Sequence, residues 1–329
     1  APVPTGPSNV LLFVGLGVFA VLLAFFDYGT RAGTIARATW KEALRQPVFS
    51  ILTAVGVLVV VSNYFVPFFA MDDETKMFID CGMATILICT LLLSVWTASI
   101  AVAEEIEGKT AMTLLSKPIN RRQFILGKYF GILQGVLTLL VILGAVMYVA
   151  TYLKFGYDHK ESAKGNLDYF VTAEGSFPRP EPQRLAAANA IVPGLTLILM
   201  EASLIAAVSV AISTRLPMLP NMITCFAVFV IGHLTPVLVA SKFKGMVFVQ
   251  FFANLIATLL PALDNLNMSP AISTGKAIPV HYVGLNAAAL VTAIEFGAQP
   301  LLYQDAAGAP LYSPSPWGIA IPAMMIGHV

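Results

Sequence analysis

Gly108-Lys109-Thr110 match the last three residues of the phosphate-binding P-loop motif, so the first chemistry to test is ATP binding. A P-loop needs Gly-x4-Gly-Lys-Ser/Thr after a strand and at the start of a helix, so that free backbone N–H groups wrap the phosphates. Here Ala103 stands where the first glycine belongs, and Glu104, Glu105 and Glu107 put three carboxylates where a polyphosphate would lie. The segment also follows an apolar run long enough to span a membrane. It is not an ATP site.

Other reactive types are sparse. Cys81, Cys89 and Cys225 sit in apolar context and read as small buried hydrophobes. His159, His233, His281 and His328 are dispersed without ligand spacing, and no metal site is expected. There is no His-Glu-x-x-His, Gly-x-Ser-x-Gly or paired-Asp motif, which argues against an intramembrane protease or transferase. Glu201, in "LTLILMEASLIAAVSV", stands out. An unpaired ionised side chain at mid-membrane costs roughly 2.5–3.5 kcal/mol on insertion scales, so it should be protonated or paired. It reads equally as a substrate-path group, a dimer-interface hydrogen bond, or a structural glutamate satisfied by a neighbouring span.

The elements that must position these residues are membrane helices. Of 329 residues 57% are hydrophobic and 11% charged, with a mean hydropathy of +0.80, against roughly 25% charged residues in an ordinary soluble domain. Apolar runs of the ~20 residues needed to cross a bilayer recur along the chain. Spans are predicted at about 9–27, 49–69, 77–103, 123–153, 187–213, 220–240 and 280–301, with a shorter, polar-interrupted stretch at 246–263. No Lys or Arg precedes Arg31, so the first run reads as a retained span and not a cleaved signal peptide. Segment 28–48 carries Arg31, Arg37, Lys41 and Arg45, and segment 104–128 carries Lys109, Lys117, Arg121, Arg122 and Lys128. Positive charge accumulates on the cytoplasmic side, which predicts an external N-terminus and both segments inside. The net charge of +1 points to no nucleic-acid partner.

Two shorter helices are expected at that cytoplasmic face. In 33–46, "GTIARATWKEALRQ", Arg37, Lys41 and Arg45 recur on one face while Ala36, Trp40, Ala43 and Leu44 occupy the other. That suits an interfacial helix with Trp40 at headgroup depth and the cations toward lipid phosphate, or a plain linker helix. Gly108 and Pro118 bracket a second, of about two turns, in which Met112 and Leu115 form an apolar ridge, with acids before it and Lys117 after it. Such a ridge needs a partner to cover it. Asn120 with Gln123 forms a capping-box pattern for the next span, and Gly127-x3-Gly131 is a spacing for close helix packing.

At these residues the chain resembles the permease subunits of ABC transporters of the type-2 export class. The likeness rests on "EEIEGKTAMTLLSKPINRRQFILGKYFG", Glu104 to Gly131, supported by "IGHL" at 231–234 and "LLPALDNLN" at 259–267. It implies an all-α polytopic fold, a six-span exporter core (29–302) preceded by one additional span (1–28). Within that core would lie an elbow helix at 33–46, a coupling helix at 109–117, an external loop at 154–186 and an outer-leaflet segment at 246–266, with a tail at 303–329. It also implies an ATPase partner that holds ATP and Mg, with no cofactor in this chain. Glu104, Glu105, Glu107, Gly108, Lys109, Thr110, Met112, Leu114, Leu115 and Pro118 would couple to that partner. A chain of 35.1 kDa would supply half a pathway, so a second copy or a similar permease is implied. The tail departs from the family pattern, since no Lys or Arg follows Lys276. A secondary transporter and a non-transporting scaffold are the competing readings, and the substrate is not legible.

Overall fold

A computed structural model describes residues 10–65, 74–104, 121–161, 168–171, 179–213 and 216–240. These residues are almost entirely helical, because a backbone in hydrocarbon must satisfy its own N–H and C=O groups. The helices are α1 (Val10–Gly29), α2 (Arg31–Arg45), α3 (Pro47–Phe65), α4 (Glu74–Ala98), α5 (Arg121–Glu161), α6 (Pro182–Asn189), α7 (Ile191–Ser213) and α8 (Met218–Ala240). A π-helical turn, Ser99–Glu104, extends α4. A short antiparallel pair, β1 (Phe170–Val171) and β2 (Arg179–Pro180), sits between α5 and α6.

Among the described residues four helical stretches are long and apolar enough to cross a membrane: Pro47–Phe65, Glu74–Ala101, Gln123–Tyr157 and Pro182–Ser213. The count rises to five if α1 and α2, bent by 107° at their junction, form one unit. The chain is an all-α integral membrane protein, and the expected six-span exporter core is not supported by this count. The span expected at 280–301, the outer-leaflet segment and the tail lie outside the described residues.

The core is a three-helix seam. Phe78, Met83, Ile86 and Leu93 of α4 meet Leu139, Leu143 and Met147 of α5 and Leu197 and Ile205 of α7, all fully buried or nearly so. By contrast α1 leaves Val14, Val18, Val21, Leu22 and Phe25 exposed, and α3 leaves Ile51, Leu58 and Phe65 exposed. Apolar surface of this kind is what a lipid-facing helix presents.

The bend between α1 and α2 has a local cause. Thr30 adopts an extended conformation, and its hydroxyl accepts from the Gly33 N–H at 2.9 Å, a side-chain N-cap that starts α2 afresh. The helix then lies along the first part of α5 with almost no space between backbones. A Cβ on Gly131 would stand 2.6 Å from the Ala36 carbonyl oxygen and from Thr39 Cβ, and one on Gly127 would stand 2.7 Å from the Ala32 oxygen. The Gly127-x3-Gly131 spacing is therefore the seat of α2.

One boundary read from the sequence is corrected here. Helix α5 runs 41 residues to Glu161, past the expected end at 153. At 1.5 Å per residue α5 is about 61 Å long, roughly twice the hydrocarbon thickness, so much of it stands outside the hydrocarbon. Two contacts brace the stretch beyond Leu153. Lys154 Nζ pairs with Glu74 Oε2 at 3.0 Å, nearly out of water, and Arg184 lies over the Tyr169 ring and against Gly156. Lys154→Met is expected to destabilise the chain by up to about 3 kcal/mol, and Glu74→Gln added to it should recover part of that, because a lone buried charge costs more than none. Thermal unfolding in detergent checks this. Trp40, on the same face of α2 as Ala36, donates its Nε1–H to Thr138 Oγ1 of α5 at 3.1 Å.

Candidate intramembrane polar site

Helix α7 is apolar enough to span, yet it carries Glu201 near its middle, and the side chain is fully buried. The burden is met by α8. His233 Nε2 lies 3.4 Å from Glu201 Oε1, with the imidazole about one-fifth exposed. On its other side His233 Nδ1 is 3.2 Å from the Phe229 carbonyl oxygen, and the two rings pack with centroids 4.6 Å apart.

This geometry constrains the protons. A carbonyl oxygen only accepts, so the contact to Phe229 places a hydrogen on Nδ1. A neutral ring then turns the Nε2 lone pair toward the Glu201 carboxyl, and two acceptors would face each other. The contact is favourable only with one positive equivalent between them: a proton on the carboxyl, a second proton on the ring, or a bound cation. The 3.4 Å separation is long for a charge-assisted hydrogen bond, which leaves the pair loosely held.

The level of Glu201 is where the bundle is tied by polar contacts. Ser94 Oγ of α4 donates to the Ala202 oxygen at 3.3 Å, and Tyr129 OH of α5 donates to the Ser203 oxygen at 3.2 Å. Helices α4, α5 and α8 thus all reach α7 within three consecutive residues. Farther along α7, Asn221 of α8 is fully buried and its Nδ2 donates to Ser99 Oγ at 2.8 Å and Ser209 Oγ at 3.0 Å, while Cys225 Sγ is 3.4 Å from its Oδ1. Ser99 is the first residue of the π-helical turn, a geometry frequent at functional sites. Asn221→Ala is expected to cost about 1–3 kcal/mol by stranding buried hydroxyls, with Asn221→Asp no better, read as a lowered unfolding temperature.

Nearer the start of α2, Asp27 is buried and receives both Gln134 Nε2 contacts, at 2.9 and 2.8 Å. Arg37 stacks over the Tyr28 ring at 4.4 Å and is half-buried, so of the three cations on one face of α2 Lys41 and Arg45 are the exposed ones. Lys128 is buried, 4.0 Å from Glu42.

Two curated proteins share a stretch of this chain. It is 62% identical over 48 residues to "Fused nickel transport protein NikMN" of Rhodobacter capsulatus and 54% identical over 48 residues to "Probable fused nickel transport protein LarMN" of Lactiplantibacillus plantarum. The stretch is 15% of this chain, and 14% and 15% of those proteins. No family model and no solved structure matches the chain. These findings overturn the resemblance to type-2 ABC permeases: the similarity is to nickel transport proteins, and the expectation of export falls with that family.

Of the residues singled out from sequence, Glu201 is placed in a polar contact, and Arg37, Trp40, Lys41 and Arg45 lie on α2. The segment Glu105–Pro118 lies outside the described residues, as does the side chain of Glu104. Sequence reading missed His233 as the partner of Glu201, although a signal was present. Glu201 lies about three turns before the end of α7 and His233 about four turns after the start of α8, which places them at similar depth in two helices joined by a short link. Among the described residues no group of three or more His, Cys, Asp or Glu could hold a metal ion.

Proposed function

We propose that the chain is a membrane-embedded component of a transport system whose cargo is nickel. The similarity to the two nickel transport proteins carries this reading, and the membrane-spanning bundle is the architecture such a component needs. Glu201 and His233 are assigned to the cargo path. Imidazole nitrogen suits Ni²⁺, and the carbonyl contact at Nδ1 is the outer-shell partner that fixes the free nitrogen for a ligand. The pair offers two donors, so it would serve as a transit contact and not as a resident metal centre.

The remaining parts rest on sequence. Energy would come from a cytoplasmic ATPase partner, with a second copy of the chain completing the path. The membrane would be a bacterial cytoplasmic membrane, with the N-terminus outside. The ridge of Met112 and Leu115 is assigned to ATPase docking. Met112→Asp with Leu115→Asp should abolish co-purification of an ATPase while leaving membrane insertion intact, and undiminished recovery of the ATPase would refute the docking role.

The test of cargo is accumulation of radioactive nickel by host cells with and without the gene. Deletion should lower uptake and a plasmid copy should restore it. Equal accumulation in both strains, under nickel limitation, would refute the reading.

A further inference from the structure

The bundle has a cleft of about 690 Å³ where α2 ends, α3 begins and α4 approaches its last turns. One side is apolar and built from Pro47, Val48, Trp96 and Ile100, and the rim carries Lys41 and Arg45. Both cations are exposed, whereas Arg37, one turn before Lys41 on the same face, is occupied by the Tyr28 ring. Glu42 also lines the cleft, but its carboxylate faces Lys128 at 4.0 Å, which offsets its charge. The rim is therefore net positive.

The level of the cleft decides what it meets. Pro47 opens one spanning stretch, and Trp96 and Ile100 lie in the last turns of another that ends at Ala101. Both leave the hydrocarbon at the same end, so the cleft straddles the boundary between acyl chains and headgroups. Long cationic side chains at that boundary reach toward phosphate while their stems lie on apolar surface.

We infer that this cleft is a binding site for an anionic phospholipid: an acyl chain lies along Val48, Trp96 and Ile100, and the phosphodiester is held by Lys41 and Arg45. The site is independent of the cargo proposed above. A lipid here would wedge between the end of α2 and the end of α4, the two elements that flank the π-helical turn and the seat on α5.

Trp96 makes the site observable. The full chain is reconstituted in nanodiscs carrying brominated phosphatidylglycerol or brominated phosphatidylcholine, and the contribution of Trp96 is taken as the difference between the wild type and Trp96→Phe. Phosphatidylglycerol should quench Trp96 at a lower mole fraction than phosphatidylcholine. Lys41→Gln with Arg45→Gln should reduce that preference by about fivefold per cation removed, with the helical circular dichroism unchanged. Glu42→Gln should preserve or increase it. Equal quenching by the two lipids, or a preference untouched in the double variant, would overturn the proposal. Loss of the preference on adding inorganic phosphate at constant ionic strength would also overturn it, by assigning the cations to a soluble anion.

Discussion

Leucine in place of Gly131 is expected to lift α2 off α5 and to lower stability by about 3 kcal/mol, the upper end of what overpacking costs. The reason is what the new side chain would meet. A Cβ at this position would lie 2.6 Å from the Ala36 carbonyl oxygen, and backbone inside a helix cannot step aside as the end of a flexible side chain can. The contact repeats one turn earlier at Gly127 against the Ala32 oxygen, so the two helices cannot tilt apart at one point only. Loss of the seat should also break the Trp40–Thr138 hydrogen bond and expose the buried Asp27–Gln134 contact. Detergent-solubilised protein should show a lowered unfolding temperature and a Trp40 emission shift. Gly144→Leu makes a useful comparison, because its nearest obstacle is the mobile end of Leu195, at 2.9 Å, and the cost should be smaller.

His233→Leu is expected to lower stability by about 1–3 kcal/mol by removing the imidazole that faces the fully buried Glu201. Glu201→Leu combined with His233→Leu should recover much of that stability, because removing both partners removes the burial penalty. The pair of experiments separates structure from transport. If Glu201 and His233 lie on the cargo path, the double variant will fold and insert yet lose nickel uptake at least as completely as either single variant. If they only brace α7 against α8, uptake will return with stability. Glu201→Gln alone is informative as well. It keeps the shape and removes the negative charge, so a transit contact for a divalent cation would be lost while helix packing stays close to native.

Much of the helical plan was legible in the residues. Periodicity and span length predicted helices at 33–46, 77–103 and 220–240, and each is found within a few residues. The polar seam was legible only in part. Glu201 announced itself because a carboxyl in an apolar run is costly, but nothing local to it named its partner. Asp27, Lys154 and Arg184 passed unremarked, and Lys128 was read only as a basic loop residue, because each sits at the edge of an apolar run, where a charge looks solvated. In the fold all four are at least nine-tenths buried.

The family likeness failed for a physical reason. A glycine break, a proline stop, acids before a short helix and bases after it are what a cytoplasmic connection between two spans needs in order to end one helix and begin another. Such features describe a location in a membrane protein more than an ancestry. The similarity to nickel transport proteins is a matter of residue identity over 48 positions, which carries more information about descent.

By itself, then, the sequence determined that the chain is integral to a membrane, that its spans are helices, and that a basic amphipathic helix follows the first of them. Hydropathy and periodicity are properties of single segments, and bilayer thickness converts them directly into structure. Only the tertiary structure decided which surface covers each face. Trp40 could face lipid or protein equally well, and the glycine seat on α5 gave it to protein. Lys154 could end a helix or continue it, and Glu74, 80 residues away, allowed it to continue. Glu201 could serve any neighbour at its depth, and the crossing of α7 and α8 assigned it to His233.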